Sequence, residues 1–359
     1  MARSRLDSSY LSVLASGPEA TPSATPTRIL PTHTAELFAR AVDEAVARLR
    51  AGEVVALPTE TVYGLAANAF EESAVRKVFS IKKRPARNPV IVHVASFEMI
   101  QRCVTAWPLV AQKLAAAFWP GPLTLVLPRS QEIPDIVTGG GDTVGIRWPS
   151  HPLIQKVIIG CGFPLAAPSA NLSNALSPTR AGHVDESLLI PLVIDGGQCQ
   201  VGIESTVVDL TSNPPRLLRP GMIDESALLA VTGELAIGFG DREEVLKSPG
   251  QLKKHYSPKT RLALLRWNDE KELRSAVAPY GVSINRIHVV AHSRIPGPEG
   301  WGRVAVIPHD PEAFARAIYG ELHQGDAAGA ELIVVEALPE GSAWSGIGDR
   351  LQRAAAEEA

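Results

Sequence analysis

The sequence predicts an α/β protein with a twisted mixed sheet, followed by a linker and a second, small α/β domain. In residues 34–239, strand-like apolar runs intermingle with helical periodicity without strict alternation, which favours a mixed sheet over a doubly wound parallel one. Residues 240–260 are polar, contain prolines and offer no periodic face, as in a linker. Residues 261–359 again contain short apolar runs separated by helical stretches, a pattern typical of parallel βαβ units.

Composition limits the classes of protein that need to be considered. The chain has 359 residues, is 45% hydrophobic and 20% charged, and has a formal net charge of −3, so two globular domains fit and any anion site should be local. No apolar run reaches the roughly 18 residues of a membrane span. Three widely spaced cysteines, Cys103, Cys161 and Cys199, predict buried thiols in a reducing compartment, with neither a disulfide framework nor a zinc site.

The first 33 residues predict a disordered tail. They are rich in Ser, Thr, Ala and Pro and lack the apolar core of a secretory signal; a transit peptide is a weaker alternative. The hypothesis that follows is that everything before Leu30 is dispensable.

The elements of the first domain follow from periodicity. Apolar residues at helical spacing from Leu37 to Leu49, with Gly52 as a stop, predict a helix, and "EVVALP" predicts a strand that ends in the loop "TETVYGL". A helix around Val75 and Phe79 follows. Further strands are predicted at "VIVHV", "LTLVLP", "TVGIRW", "PLAAP", "LVIDG", "STVVDL" and "PRLLRP", and helices near 96–103, 108–117, 151–159 and 223–232.

The second domain has four predicted strands. They are "RLALLRW", "IHVVAH", "RVAVIPH" and "ELIVVEAL", with a helix at 311–322 before the last.

The stretch "SIKKRPARNPVIVHV" concentrates positive charge at the mouth of a predicted strand. Its four cations are Lys82, Lys83, Arg84 and Arg87. A solvated helix end is the plain interpretation. Two prolines stiffen the loop, however, and the end of a strand is a common place for a ligand crevice. Rigid cations there would suit a polyphosphate, although neither glycine-rich phosphate-loop pattern occurs in the chain. As exposed charges they should contribute little to fold stability, so Arg84→Ala should reduce activity and barely change stability.

Polar groups at other strand ends are ambiguous on their own. The segment "LAAPSANLSNALSPT" and Ser205 could serve as turn formers or could bind ligand oxygens. Arg219 at a strand end could be an ordinary surface arginine, and His93 could be a satisfied core histidine. Arg147, in the middle of an alternating strand, needs an anionic or acceptor partner.

Taken together, the segments resemble the YrdC-like family, the threonylcarbamoyl-AMP synthases. Seven stretches match its motifs in order over roughly residues 35–235, and "SPGQLKKHYSP" with the α/β region after it resembles the longer, two-domain branch. Asn174 stands where the family pattern has a glycine, and Gln251-Leu252 replace a Met and a basic residue. The matching stretches are "LPTETVYGLAAN", "IKKRPARNPVIVHV", "FWPGPLTLVL", "TVGIRWP", "APSAN", "ESTVVDL" and "LRPGMI".

The resemblance implies a fold, a reaction and a site. The fold is a YrdC-like twisted mixed sheet with a Rossmann-like C-terminal domain. The reaction joins L-threonine, bicarbonate (or CO2) and ATP into L-threonylcarbamoyl-adenylate with release of pyrophosphate, the first step of t6A modification of tRNA. The implied ATP-binding residues are Lys82, Arg84, Asn88, Thr143, Ser169, Asn171, Ser177 and Arg219. The implied threonine-binding residues are Thr61, His93, Arg147, Ser205 and the main chain at Ala167.

Further expectations concern cofactor, partners and closure. Mg2+ should travel with the ATP phosphates, since no Asp/Glu cluster marks a protein metal site. The product should pass to the t6A transferase machinery in the cytoplasm, with at most weak tRNA binding and no membrane association. His255 and Tyr256 in the linker are expected to form a lid, because a pocket that holds a carbamate must exclude water. Truncation after Phe239 should then leave a folded first domain with impaired synthesis.

Two other classes remain as alternatives. A double-stranded RNA-binding module would need charge spread along a groove, whereas the cations here lie in one loop. A regulatory or ribosome-maturation factor could use the same pocket to sense nucleotide without turning it over. Pyrophosphate release that requires both threonine and bicarbonate distinguishes the enzyme from a binder.

Overall fold

A computed structural model describes residues 27–238, 247, 249 and 255–356 as two sheets flanked by helices. The helices are α1 (Ala35–Arg50), α2 (Glu72–Lys82), α3 (Phe97–Cys103), α4 (Leu109–Phe118), α5 (Asp135–Thr138), α6 (Pro152–Cys161), α7 (Glu225–Thr232), α8 (Glu270–Val277), α9 (Pro311–Ala327) and α10 (Ser345–Ala355). The strands are β1 (Arg28–Pro31), β2 (Val55–Leu57), β3 (Gly64–Asn68), β4 (Val92–His93), β5 (Leu123–Pro128), β6 (Thr143–Arg147), β7 (Leu165–Ala166), β8 (Leu192–Asp195), β9 (Thr206–Asp209), β10 (Arg216–Arg219), β11 (Ala236–Ile237), β12 (Arg261–Leu265), β13 (Ile287–Ala291), β14 (Arg303–Val306) and β15 (Leu332–Glu336).

The first sheet is mixed, as the intermingled pattern predicts. Its described strands follow the order β1-β8-β2-β3-β7-β4-β6-β5-β9-β10-β11. The β4–β6 and β5–β9 pairs are parallel, whereas β5–β6 and β3–β7 are antiparallel. Helices α1 and α6 pack on one part of this sheet through a buried aliphatic cluster. The centre of the sheet is therefore covered, and its strand ends are left to build a site.

The helix signals in the sequence correspond to real caps. Thr34 accepts a hydrogen bond from the Leu37 amide at the start of α1, 3.2 Å away, and Ser96 does the same for Met99 at the start of α3. Helix α2 ends at Lys83, which has a φ of 49°. That left-handed residue turns the chain sharply, and the cationic loop begins there.

The second sheet is parallel, in the order β12-β15-β13-β14 among the described strands. Helix α9 connects β14 to β15, as in a βαβ unit. The parallel α/β prediction for this part of the chain is confirmed. No helix in the described part of the chain is long and apolar enough to cross a membrane.

The two sheets share a core, which the sequence did not indicate. One buried cluster combines Val62, Leu176 and Ile203 from the first unit with Tyr256 and the apolar faces of α9 and α10. The backbones also approach closely at two glycines: a Cβ on Gly202 would lie 2.3 Å from the Ala315 carbonyl oxygen, and one on Gly346 would lie 2.7 Å from the Gly221 Cα. Removal of the second unit would uncover this surface, which argues against the expectation that truncation after Phe239 leaves a folded first domain.

The predicted disordered tail is too long at its C-terminal end. Residues 28–31 form β1, which pairs in parallel with β8, and the Leu30 side chain is buried among the residues of α1 and α6. The signal was missed because an edge strand of four residues, "RILP", is too short to show a period. Residues 1–26 lie outside the described residues, as do most of 240–254 with Gln251 and Leu252.

Candidate active site

Several segments of the chain meet around one cavity. Main-chain hydrogen bonds hold them together: the Ala170 amide donates to the Tyr63 carbonyl at 2.8 Å, and the Tyr63 amide donates to the Pro178 carbonyl at 2.8 Å. The Ala167 amide donates to the Ile91 carbonyl at 3.1 Å. The implied site residues that line the cavity are Thr61, Arg84, His93, Arg147, Ala167, Ser169, Ser205, Arg219, His255 and Tyr256.

Strand register places the polar side chains of the central strands in a row. His93 on β4 is the register partner of Arg147 on β6, and Arg147 is the partner of Thr124 on β5. Register partners project to the same face of a sheet, so these groups lie side by side. Ser205, just before β9, completes the row through a 2.8 Å hydrogen bond between its hydroxyl and that of Thr124.

Arg147 has the partners that its position in a strand requires. Its Nη1 donates to the Thr61 hydroxyl at 2.8 Å, and its Nη2 lies 2.8 Å from Oε1 of Glu60. The contact with Glu60 is an ion pair without hydrogen-bond geometry, and neither Glu60 oxygen has a hydrogen-bond partner among the described residues. Both side chains are buried. Arg147 is therefore fixed, with a carboxylate beside it that sequence reasoning overlooked although it lies in the quoted "TETVYGL".

His93 faces the cavity as a neutral imidazole. Burial lowers its pKa to about 3, with a further contribution from the Arg147 charge. Its Nδ1 has no hydrogen-bond partner among the described residues. A buried nitrogen without a partner at a cavity wall is suited to a ligand, because leaving it unpaired costs free energy.

Two of the four cations of this stretch, Lys82 and Arg84, are buried, contrary to the expectation of exposed charges, whereas Lys83 and Arg87 are exposed. Lys82 is 1% exposed and donates to the main-chain carbonyls of Ser169 and Asn171. Arg84 donates to the Asn88 side-chain oxygen at 2.7 Å and to the Pro89 carbonyl at 2.6 Å. Main-chain carbonyls accept hydrogen bonds from both cations. Lys82 therefore joins the end of α2 to the 169–171 segment and does not itself line the cavity.

Arg219 connects the catalytic strands to the linker. Its Nη2 donates to the Ser205 hydroxyl at 3.1 Å, and its Nη1 lies 3.5 Å from the Tyr256 hydroxyl and 3.3 Å from the Pro249 carbonyl. Tyr256 is 1% exposed, adopts a φ of 60°, and packs its ring 4.0 Å from that of His255. The two predicted lid residues thus line one side of the cavity.

Neither Arg84 nor Arg219 at the cavity forms an ion pair with a described residue, and the nearby carboxylate of Glu204 is paired with Arg350. Burial lowers the pKa of Arg84 to about 10, and Arg219 lowers it further. Burial likewise lowers the pKa of Arg219 and that of Lys82, where Arg84 adds to the effect. Three buried cations that repel one another are typical of a site for a highly charged anion.

The other residues that the resemblance implies for ATP binding do not line the main cavity. Asn88 orients Arg84, Ser177 donates to Glu204, and the Asn171 amide donates to the Ala175 carbonyl at 2.7 Å. Thr143 lines a smaller adjoining pocket that shares Ile91 and Pro249 with the main cavity. Asn174 has a φ of 69°, a conformation that suits the glycine of the family pattern and that asparagine tolerates well.

Comparisons with known proteins identify the family. A Sua5/YciO/YrdC model described as "Telomere recombination" matches residues 47–221, and one described as "Threonylcarbamoyl-AMP synthase, C-terminal domain" matches residues 222–356. The threonylcarbamoyl-AMP synthase of Pyrococcus abyssi is 39% identical over 85% of this chain and 91% of its own length. The chain belongs to the threonylcarbamoyl-AMP synthase family.

Other members agree over both parts of the chain. The Bacillus subtilis threonylcarbamoyl-AMP synthase is 38% identical over 88% of this chain and 92% of its own length. A crystal structure of P. abyssi Sua5 complexed with L-threonine superposes with a TM-score of 0.83 at 37% identity, over 92% of this chain and 98% of that one. The two-domain form that the sequence suggested is thereby shown.

Proposed function

We propose that this synthase makes L-threonylcarbamoyl-adenylate from L-threonine, bicarbonate or CO2, and ATP in the cavity described above, with release of pyrophosphate. One observation carries the proposal: Arg84 and Arg219, which are buried and form no ion pair with a described residue, line the same cavity as a fixed arginine beside a neutral histidine. The first group suits a triphosphate and the second an amino acid. A nucleotide sensor would need only the first.

Each group has a stated role in the proposal. Arg147 binds the threonine carboxylate, since its planar fork can grip two oxygens, while Thr61 and Ser205 offer hydroxyls. Arg84 and Arg219 face the phosphates, with Ser169 beside them. The carbamate oxygen formed on threonine then attacks the α-phosphorus, and the cations stabilise the charge that develops on pyrophosphate. Closure by His255 and Tyr256 protects the short-lived carbamate from water.

Mg2+ is proposed to arrive with ATP. Glu204 at the cavity and Glu60 beside Arg147 each face an arginine, and no group of three metal-ligating side chains occurs in the described part of the chain. The donor set therefore fits an ion held by phosphate oxygens and water, which would add positive charge at the leaving group. The product is proposed to supply the t6A transferase machinery that acts on tRNA.

The test is pyrophosphate release by the full-length protein with each substrate omitted in turn. We expect release to require threonine and bicarbonate together, and threonine to be preferred over serine by about 10- to 200-fold because one methyl group separates them. ATP binding without turnover would favour the nucleotide-sensing alternative, and release without threonine would contradict the proposed synthase reaction. Chromatographic identification of the adenylate completes the assay.

A further inference from the structure

One buried carboxylate of the first unit is held by the second unit. Glu204 lines the cavity and is 7% exposed, whereas Arg350 lies on α10 of the second unit and is 1% exposed. The Arg350 Nε lies 2.7 Å from Oε2 of Glu204, and its Nη2 donates to the Glu204 main-chain carbonyl at 3.2 Å. The C-terminal unit thus places an arginine directly behind the cavity wall. Its Nη1 also lies 2.7 Å from Asp349, whose carboxylate is paired with Arg353 as well.

Two other groups complete the surroundings of this carboxylate. Ser177 donates its hydroxyl to Oε1 of Glu204, and the Tyr319 hydroxyl on α9 donates to Oε2 at 3.2 Å. Burial raises the pKa of Glu204, but Arg350, Arg219 and the Ser177 hydrogen bond outweigh burial and hold the pKa below its ordinary value. Glu204 is therefore ionised at neutral pH.

Arg350 also connects the second unit to Tyr256 of the proposed lid. The Arg350 guanidinium lies over the Tyr256 ring, 5.1 Å from its centroid, and Tyr256 reaches Arg219 on the opposite side. Arg350 therefore contacts the wall of the ATP pocket and the closing tyrosine at once. A cation–π contact between desolvated groups fixes the position of the ring.

Mechanical attachment of the two units does not require a charged pair. A buried ion pair is often no more stabilising than well-packed apolar residues of similar volume. The shared apolar cluster and the close approaches at Gly202 and Gly346 already join the units. A carboxylate at the wall of a pocket that receives a triphosphate, in contrast, would repel its substrate unless it were neutralised.

We propose that Arg350 is a positioning residue of the active site. It neutralises Glu204 at the wall of the ATP pocket and, through that carboxylate, fixes the position of Ser177. It also holds the Tyr256 ring in place. This inference rests on the proposed function and gives the C-terminal unit a direct part in nucleotide binding.

The experiment compares charge variants of the full-length protein. Arg350→Met keeps much of the side-chain volume but leaves Glu204 unneutralised, so we expect KM for ATP to rise by about 10- to 100-fold. KM for threonine, whose zwitterion has no net charge, should change much less. Glu204→Gln removes the negative charge but keeps an amide oxygen that can accept from Ser177, so KM for ATP should rise much less with it than with Arg350→Met. The double variant Glu204→Gln/Arg350→Met should restore KM for ATP close to that of the unmodified protein.

A matched control removes an interdomain contact outside the cavity. Arg316 is exposed on α9 and donates to the Gln200 carbonyl at 2.8 Å, so Arg316→Met should leave both KM values unchanged. If Arg350→Met lowers melting temperature without separating the two KM values, or if the double variant is as impaired as the single one, the pair is only an attachment and the proposal is overturned.

The proposal can still be tested if a variant does not fold or if the protein releases no pyrophosphate. If Arg350→Met does not fold, Glu204→Gln alone carries the test, since a rise in its KM for ATP of about tenfold or more would contradict the charge argument. If the unmodified protein releases no pyrophosphate, the proposed function fails. Affinity for a non-hydrolysable ATP analogue, measured by calorimetry on the same variants, then decides the role of Arg350 separately.

Discussion

Because Arg84 is buried, it is expected to contribute to stability as well as to activity. The sequence suggested an exposed cation whose loss would leave the fold intact, but its side chain is 9% exposed and holds the 88–89 turn. We expect Arg84→Ala to lower kcat/KM by roughly 100- to 1000-fold and also to lower the free energy of unfolding by about 1–3 kcal/mol. Pyrophosphate release and thermal unfolding measure the two effects. Normal turnover, or loss of activity with unchanged melting temperature, would contradict one half of the prediction.

Arg147 permits a selective test of the amino-acid side of the cavity. Arg147→Leu would leave Glu60 as an unpaired buried charge, which is strongly destabilising and would confuse the result. Thr61→Val keeps the shape but removes the hydroxyl that Arg147 contacts at 2.8 Å. We therefore expect Thr61→Val to raise KM for threonine clearly and KM for ATP little in steady-state assays. Equal increases in both constants would mean that the Arg147–Thr61 pair does not face the amino acid.

At the scale of elements, the linker is more than a connection. Pro249, His255 and Tyr256 line the cavity, and Ser257 forms an isolated bridge with Ala175 in the loop after β7. Tyr256→Ala should preserve much of the ATP binding but reduce synthesis and increase release of AMP, because water then reaches the adenylate. Tyr256→Phe, which keeps the ring and loses only the hydroxyl, should be much closer to the unmodified protein. Unchanged product yield with Tyr256→Ala would show that the ring is not a closure.

At the scale of the whole molecule, buried histidines predict a loss of stability in mild acid. Burial lowers the pKa values of His93, His183 and His255 to about 3. Below about pH 6.5 the unfolded chain binds protons at these positions and the folded chain does not, so stability present in full above that pH is lost as pH falls. Each histidine should contribute a slope of about 1.4 kcal/mol per pH unit well below pH 6.5.

Denaturant unfolding between pH 7 and pH 5 measures this dependence. His183 stacks on His323 of the second unit. His183→Gln should lower the pH dependence of the free energy of unfolding by about 1.4 kcal/mol per pH unit, the contribution of one histidine. A free energy of unfolding that is flat over this range would show that the three imidazoles are not held neutral.

Truncation at the N-terminus tests where the fold begins. Deletion of residues 1–26 should leave melting temperature and kinetics intact, as their composition predicts. Deletion of residues 1–33 should lower the melting temperature, because it removes β1 from β8 and uncovers the Leu30 site among α1 and α6. Equal melting temperatures for the two truncations would mean that β1 contributes nothing to stability.

The sequence by itself determined the local elements and, through its ordered motifs, the family. The helical spacing from Leu37 to Leu49 and the apolar run "LTLVLP" predict α1 and β5 because each depends on residues close together in the chain. Short strands such as β1 and β11 carry too few residues for a period and were missed.

Only the tertiary structure decided how charge is distributed in the site. Lys82 is satisfied by carbonyls 87 and 89 residues away, Glu60 faces Arg147 from another strand end, and Arg350 reaches Glu204 across 146 positions. Burial and ion pairing depend on which distant segments meet, and a single sequence does not encode that meeting in any local pattern. For that reason the sequence could place the cavity's residues, but not the part that the C-terminal unit has in it.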